Sequence, residues 1–213
     1  MTLPYLHYEK QAGAAPHSPL LVLLHGRGAN ESDLLPIVEF VAKGWNAATV
    51  RAPYPLPMGG SEWFKFGADL SPEPRSLSSS LSVLDTTLTH VLEEFPGAPA
   101  VYLGFSQGAL MALAAATTRN ERLQGVAALS GYLPEDTLLP RPSAALRGLP
   151  VFQTHARNDF VLPFRAAEVT RARLEKAGAT LTWVEHQAGH SVPVVVMERL
   201  SEWLADLPGA GRS

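Results

Sequence analysis

Short apolar segments alternate with longer helix-like segments along most of this chain, and this alternation restricts its fold more than any other feature. The apolar segments suited to buried strands are residues 20–24, 47–50, 101–105, 126–129, 151–154 and 181–184. The segments long enough for helices are residues 31–41, 77–95, 107–119, 165–177 and 193–205. Apolar spacing of this kind predicts an α/β fold, in which helices cover both faces of a mostly parallel central sheet.

Length and composition predict a single domain. A chain of 213 residues with 46% hydrophobic and 17% charged residues can bury one sizeable core. We therefore expect one domain over residues 1–213, with an antiparallel edge strand at residues 3–8 and no large lid domain. Residues 52–74 are the exception to the alternation, because proline, glycine and aromatic residues make this stretch a long loop.

Charge and cysteine content exclude several functional classes. A formal net charge of -3 and the lack of any lysine and arginine cluster argue against nucleic-acid binding. The chain has no cysteine, so disulfides, thiolate metal sites and a cysteine nucleophile are excluded. No apolar run is long enough to span a membrane, and the start of the chain does not resemble a signal peptide. We expect a cytoplasmic protein without stable membrane insertion, and no metal or other cofactor.

A serine between two glycines is the strongest chemical signal. Residues 104–108 read Gly-Phe-Ser-Gln-Gly, directly after a strand-like segment and directly before a helix-like one. This is the strand, turn and helix context of a nucleophile elbow, in which a tight turn exposes the serine hydroxyl at the edge of the sheet. Ser106 is therefore the predicted nucleophile. The alternative is a solvent-facing serine in a glycine-rich turn.

A serine nucleophile needs a histidine base and an acid that orients the histidine. Both should lie in loops after later strands, because the carboxyl ends of parallel strands share one edge of the sheet. Asp159 and His190 follow the segments 151–154 and 181–184, in the chain order expected of an α/β-hydrolase. The competing acids are Glu135 and Asp136, which follow an earlier strand, and the competing base is His186, which lies closer to its strand.

The developing negative charge of an acyl-transfer reaction needs two N–H donors, which form the oxyanion hole. Gln107, the residue after the nucleophile, is expected to supply one of them. Arg27, in the glycine-rich loop after residues 20–24, is expected to supply the other. Alternatives for this loop are a simple strand-to-helix turn and a phosphate site, although the full phosphate-binding motifs are missing. His25 is expected to brace the loop by hydrogen bonding.

Substrate contacts are expected from Trp63 and Phe64 in the aromatic loop and from Phe160 beside Asp159. The aromatic residues of that loop can instead pack the loop onto the domain. The Arg27 side chain can attract an anionic ester, or it can point to solvent while only its backbone serves the reaction.

These residues, taken together, make the chain similar to the phospholipase/carboxylesterase family of small α/β-hydrolases, which includes acyl-protein thioesterases and bacterial carboxylesterases. The resemblance covers nearly the whole chain. It rests on residues 24–28 (Leu-His-Gly-Arg-Gly), 63–64 (Trp-Phe), 104–108, Asn158 and Asp159 with Pro163, and 189–190 (Gly-His). It implies the same nucleophile, acid, base and oxyanion donors. The chain departs from the family pattern at Arg27, where leucine is usual, and at Ala156 and Lys65.

The sequence thus predicts a cofactor-independent serine carboxylesterase that hydrolyses short- to medium-chain esters through an acyl-enzyme. Its expected partner is a small ester or thioester, and a homodimer is left open. One alternative is an acyl-protein thioesterase or lysophospholipase-like hydrolase. A second, from a different class, is a ligand-binding homologue that has lost catalysis.

Overall fold

A computed structural model describes residues 6–15, 17–68, 71–118 and 121–208. The strands are β1 (Tyr8–Gln11), β2 (Leu20–Leu24), β3 (Asn46–Val50), β4 (Tyr54–Pro55), β5 (Ser61–Glu62), β6 (Ala100–Phe105), β7 (Leu123–Leu129), β8 (Pro150–Ala156) and β9 (Thr180–His186). The α-helices are α1 (Leu35–Val41), α2 (Pro74–Glu94), α3 (Gln107–Ala115), α4 (Phe164–Ala177) and α5 (Val194–Ala205).

Seven of these strands form the central sheet in the order β1-β3-β2-β6-β7-β8-β9. All neighbouring pairs are parallel except β1 and β3, so the antiparallel edge lies where it was expected. The edge strand itself covers Tyr8–Gln11 and begins later than predicted, and residues 3–5 of the predicted strand lie outside the described part of the chain. Strands β4 and β5 form a small separate hairpin within the aromatic loop.

Helices cover both faces of the sheet, as the alternation predicted. Helices α1 and α5 contribute to one apolar cluster, and α2, α3 and α4 contribute to the other. The interior strand β2 (Leu-Leu-Val-Leu-Leu) is buried along its whole length, which is the pattern of a parallel strand covered on both sides. The carboxyl ends of β6, β8 and β9 therefore meet at one edge, where their loops can converge.

Two helices begin three or four residues away from the predicted position. Residues 30–35 form successive turns, so α1 begins at Leu35 instead of residue 31, and Asn30 accepts the Ser32 N–H within a turn. Helix α2 begins earlier, at Pro74, because the Glu73 carboxylate accepts two N–H groups of its first turn. Proline at the first helical position was a usable signal for this start.

The two glycines of the Gly-Phe-Ser-Gln-Gly motif are packed against backbone. A methyl group at Gly108 would overlap the Leu24 carbonyl, and one at Gly104 would overlap the Gly108 carbonyl. Helix α3 can therefore approach β2 and β6 only because these side chains are absent.

Gly108→Ala is expected to lower the free energy of unfolding by about 3 kcal/mol or more, because backbone atoms of β2 and α3 must separate. Urea unfolding followed by circular dichroism measures this loss. Gly97→Ala is the control, since Gly97 has a φ of 75° but open space around it. Its expected loss is about 1 to 2 kcal/mol, from backbone strain alone. A Gly108→Ala loss no larger than the control loss would contradict the packing argument.

Candidate active site

Ser106 lies on the sharp turn between β6 and α3. Its backbone has φ 55° and ψ -117°, which is a strained conformation for a residue with a side chain. The turn is held because the Ser106 N–H donates to the Leu129 carbonyl at 2.9 Å and α3 continues directly from it. This geometry exposes the Ser106 hydroxyl above the edge of the sheet, as a nucleophile elbow requires.

The structure brings Ser106, His190 and Asp159 into one hydrogen-bonded chain. His190 Nε2 lies 2.9 Å from Ser106 Oγ, and His190 Nδ1 lies 2.7 Å from Asp159 Oδ2. Asp159 follows β8 and His190 follows β9, so two neighbouring parallel strands deliver them to the same edge. The centres of the Phe105 ring and the His190 imidazole lie 5.0 Å apart. An Nδ1–H imidazole facing the carboxylate leaves Nε2 free to accept the serine proton.

The Asp159 carboxylate is fixed by its own loop. Its Oδ1 accepts the N–H groups of Val161 and Leu162 at 2.8 and 2.9 Å, and its side chain is fully buried. His155 Nε2 lies 3.4 Å from Oδ2 and 2.9 Å from the Leu162 carbonyl oxygen, so this ring also supports the turn. Burial alone would raise the pKa of Asp159, but the N–H groups and the His190 ring together hold it below its ordinary value. The carboxyl group is therefore ionised at neutral pH.

The competing acids and base lie elsewhere. Asp136 pairs with Arg173, with 2.7 Å between Oδ1 and Nη2, and half of its side chain is exposed. Glu135 lies next to it in the same exposed turn. His186 is buried at the end of β9, where its Nδ1 accepts the Ala188 N–H, and burial lowers its pKa. Among the histidines of the described chain, His190 is the one that contacts the Ser106 hydroxyl.

Of the two predicted oxyanion residues, Gln107 directly follows Ser106, and Arg27 follows Gly26, where an added methyl group would lie 3.5 Å from Ser106 Cβ. Neither the Arg27 N–H nor the Gln107 N–H has a hydrogen-bond acceptor within the described part of the chain. The loop that carries Arg27 is braced by His25, whose Nδ1 contacts the Gly26 carbonyl and whose Nε2 accepts the Ala52 N–H. Burial lowers the pKa of His25, so the ring is neutral and has the bracing role that was expected.

An apolar cavity of about 420 Å³ opens beside the Ser106 hydroxyl. Its lining consists of Ser106 and Gln107 with mostly apolar neighbours, namely Phe64, Phe66, Tyr132, Val161, Leu162, Pro163 and Ala166. Burial raises the pKa of Tyr132 to about 12, so the phenol is neutral. A cavity with this lining fits an apolar chain and offers no charge to bind an anionic one.

The three predicted substrate contacts differ in their position relative to the cavity. Phe64 lines it, but Trp63 does not, because the indole is fully buried and donates to the His25 carbonyl at 2.7 Å. Phe160 is 94% exposed and also lies outside the lining, while the residues that follow it contribute to the wall. Tyr132 was missed, although it follows β7 and so belongs to the edge where the site forms.

One cluster of potential metal ligands exists among the described residues. His7, Glu9 and Glu31 bring one ligand atom each to within 4.8 Å of one another. Arg51 already binds the Glu31 carboxylate through two nitrogen atoms and lowers its pKa to about 2. An arginine held on this carboxylate competes with any cation, so the cluster is an ion-pair group.

A mostly parallel sheet whose elbow serine is hydrogen-bonded to a histidine from a later strand is the arrangement of an α/β-hydrolase. The model of the family described as Phospholipase/Carboxylesterase matches residues 7–207. The chain belongs to this family. No helix of the described chain is both long and apolar enough to cross a bilayer.

Individual relatives agree with this assignment. NocK of Nocardia uniformis subsp. tsuyamanensis, itself only an inferred esterase, is 30% identical over 75% of this chain, which spans 45% of NocK. Acyl-protein thioesterase 1 of Yarrowia lipolytica is 22% identical over 90% of this chain and 93% of its own length. The Bacillus cereus carboxylesterase structure has a TM-score of 0.82 and 27% identity, over 93% of this chain and 92% of its own. Esterase PE8 shares the fold, with a TM-score of 0.84 over 96% of this chain and 100% of its own at 23% identity.

Proposed function

We propose that this protein is a serine carboxylesterase that hydrolyses short- to medium-chain carboxylic esters through an acyl-enzyme on Ser106. The observation that carries the proposal is the continuous hydrogen-bond chain from Ser106 Oγ through His190 to Asp159. Its supporting context is the buried and ionised Asp159 carboxylate. We also propose that residues 1–213 form one domain, in keeping with the family match over most of the chain.

In the acylation half, Ser106 Oγ attacks the ester carbonyl carbon while His190 Nε2 takes the hydroxyl proton. Asp159 stabilises the imidazolium that forms and keeps the proton on Nδ1. His190 then donates the proton from Nε2 to the leaving alkoxide oxygen, the C–O bond breaks and the alcohol departs. Ser106 is left as an ester of the acyl group.

In the deacylation half, water attacks the acyl carbon and gives a proton to His190 Nε2. The Ser106 Oγ–carbon bond then breaks, Oγ recovers the proton and the carboxylic acid is released. In both halves the N–H groups of Arg27 and Gln107 are proposed to stabilise the oxyanion of the tetrahedral intermediate. Every proton in this scheme is moved by the chain's own residues.

The cavity supports the proposed substrate class. A volume of about 420 Å³ suits a chain of modest length, and its lining is apolar. Thioesters are the second candidate, because several relatives are named acyl-protein thioesterases and the same steps cleave a C–S bond. Cytoplasmic localisation and a homodimer stay predictions.

A fluorophosphonate probe tests the proposal, because only an activated serine reacts with it quickly. We expect stoichiometric labelling at neutral pH, with the adduct on Ser106 in a peptide digest analysed by mass spectrometry. Prior incubation with p-nitrophenyl butyrate should slow the labelling, since the acyl-enzyme occupies the same hydroxyl. An unlabelled protein that still binds esters would favour the non-catalytic homologue instead.

A further inference from the structure

The side chains of the two proposed oxyanion residues, Arg27 and Gln107, bind the same short segment of the aromatic loop. Gln107 Oε1 accepts the Trp63 N–H at 2.9 Å, and Gln107 Nε2 donates to the Phe64 carbonyl at 3.0 Å. Arg27 Nε donates to Glu62 Oε2 at 2.7 Å. We call residues 62–64 the anchor segment. The anchor segment is held by Arg27, from the loop after β2, and by Gln107, from the elbow.

The anchor segment is itself firmly placed. Glu62 lies in β5, and its side chain is only 10% exposed. The Trp63 indole is fully buried and donates to the His25 carbonyl, and the Ser80 hydroxyl donates to the Trp63 carbonyl. Ser61, the residue before the anchor segment, is joined to the Arg27 loop by two backbone hydrogen bonds. The Gly28 N–H donates to the Ser61 carbonyl, and the Ser61 N–H donates to the Ala29 carbonyl. Its position is therefore set by the core, independently of substrate.

The Arg27 guanidinium contacts both the anchor segment, at Glu62, and the nearby Phe66 ring. Besides the Glu62 carboxylate, it lies 5.9 Å from the centre of the Phe66 ring, which lines the cavity. The arginine charge is thus neutralised by a carboxylate that is mostly buried. This arrangement favours a role in holding the loop over a role in attracting an anionic substrate.

We propose that the anchor segment sets the spacing of the two oxyanion N–H groups, and that the side chains of Arg27 and Gln107 are positioning groups that act through it. This inference rests on the proposed function, because it assumes that both N–H groups face the substrate oxyanion. An oxyanion hole works only when its donors lie at hydrogen-bond distance from the developing charge, so small displacements are costly. Because the Arg27 and Gln107 side chains both bind the anchor segment, the distance between their two N–H groups is fixed.

A double-mutant cycle with Arg27→Met and Gln107→Met tests the proposal, because both variants keep their backbone N–H groups. The substrate is p-nitrophenyl butyrate. We expect kcat to fall about 10-fold for Arg27→Met and about 100-fold for Gln107→Met, with KM within about threefold. The double variant should lose less than the product of the single losses, because both side chains act on one segment. Affinity for phenylboronic acid, which mimics the tetrahedral intermediate, should fall in parallel with kcat.

Two further variants sharpen the comparison. Arg27→Lys keeps the charge but not the planar fork, and it should restore part of the lost kcat. Arg171→Met is the matched control, because Arg171 on α4 is about as exposed as Arg27 and also pairs with a carboxylate, with 2.9 Å between its Nε and Glu175 Oε1. It should leave kcat unchanged. If Gln107→Met fails to fold, Arg27→Met alone still decides, since Arg27 is half exposed.

Three results would overturn the inference. They are an Arg27→Met kcat within about twofold of wild type, single losses that multiply in the double variant, and an increased KM confined to an ester with a distal carboxylate. The last result would show that Arg27 recognises substrate charge. If instead Ser106→Ala kept its esterase activity, the proposed function would fail first, so the two failures are distinguishable.

Discussion

Ser106→Ala is expected to lower kcat for p-nitrophenyl butyrate by about 10⁵ to 10⁶-fold, because it removes the hydroxyl that we propose as the acyl acceptor. It should also abolish fluorophosphonate labelling. The melting temperature should stay close to that of the wild type, since alanine has the same backbone strain at φ 55° as serine. Steady-state kinetics and circular dichroism measure the two effects.

Ser82→Ala is the control for Ser106→Ala. Ser82 is exposed on α2, and it lines a surface cavity that does not include Ser106. Its variant should keep the full kcat and the full labelling. A Ser106→Ala protein that retained more than about a hundredth of the wild-type kcat would contradict the covalent mechanism.

Asp159→Asn is expected to lower kcat by about 10⁴-fold with little change in KM. The reason lies in the loop around the carboxylate. The Val161 and Leu162 N–H groups occupy Oδ1, so the single oxygen of asparagine would remain with them and its NH₂ group would face His190. The NH₂ group would donate to Nδ1, so the imidazole would carry its proton on Nε2. Nε2 could then no longer accept the proton of the Ser106 hydroxyl.

The control is Asp136→Asn, since Asp136 was the competing acid and its partner is Arg173. This variant should keep its kcat. Single-turnover measurements should show that the loss in Asp159→Asn affects the acylation step. Equal losses in the two variants would be incompatible with the assignment of Asp159.

Asp159→Asn should also change how the stability of the protein depends on pH in the acidic range. The pKa of Asp159 lies below its ordinary value of 3.8 in the folded protein. Such a group stabilises the fold above its unfolded pKa, and this contribution is lost as the pH falls through the folded pKa. The difference in melting temperature between the wild type and Asp159→Asn should therefore narrow below about pH 4. A melting-temperature difference that stays constant from pH 7 to pH 3 would contradict the lowered pKa of Asp159.

Much of the fold could be predicted because parallel strands and covering helices leave clear apolar patterns. All six predicted core strands are present, and their observed ends lie within three residues of the predicted ends. Strand β2 has the predicted bounds. The larger errors lie at the edge strand β1 and at the starts of α1 and α2, where side-chain caps and turns determine the first helical residue. Glu73 is an uncommon capping residue, and the turns after Asn30 compete with helix formation in a way that periodicity does not show.

The candidate site was predictable where chemistry and chain order restrict the choice, and less so where packing decides. Ser106, Asp159 and His190 follow from the elbow motif and the strand ends. Trp63 was expected to contact substrate because it is aromatic and lies in a loop, but its indole N–H has a buried acceptor and the ring belongs to the core. Nothing in the sequence shows that Phe160 points outward, since that depends on the turn that Asp159 forms.

The position of β9 at the rim of the sheet has a consequence for the newly synthesised protein. Ser106 lies in the interior of the strand order, whereas His190 follows the outermost strand and comes 84 residues later. A chain emerging from the ribosome therefore acquires the alcohol and the carboxylate before it acquires the imidazole. Since folding on the ribosome starts from the N-terminal side, we expect the proposed hydrolysis to begin only after β9 has docked on the sheet.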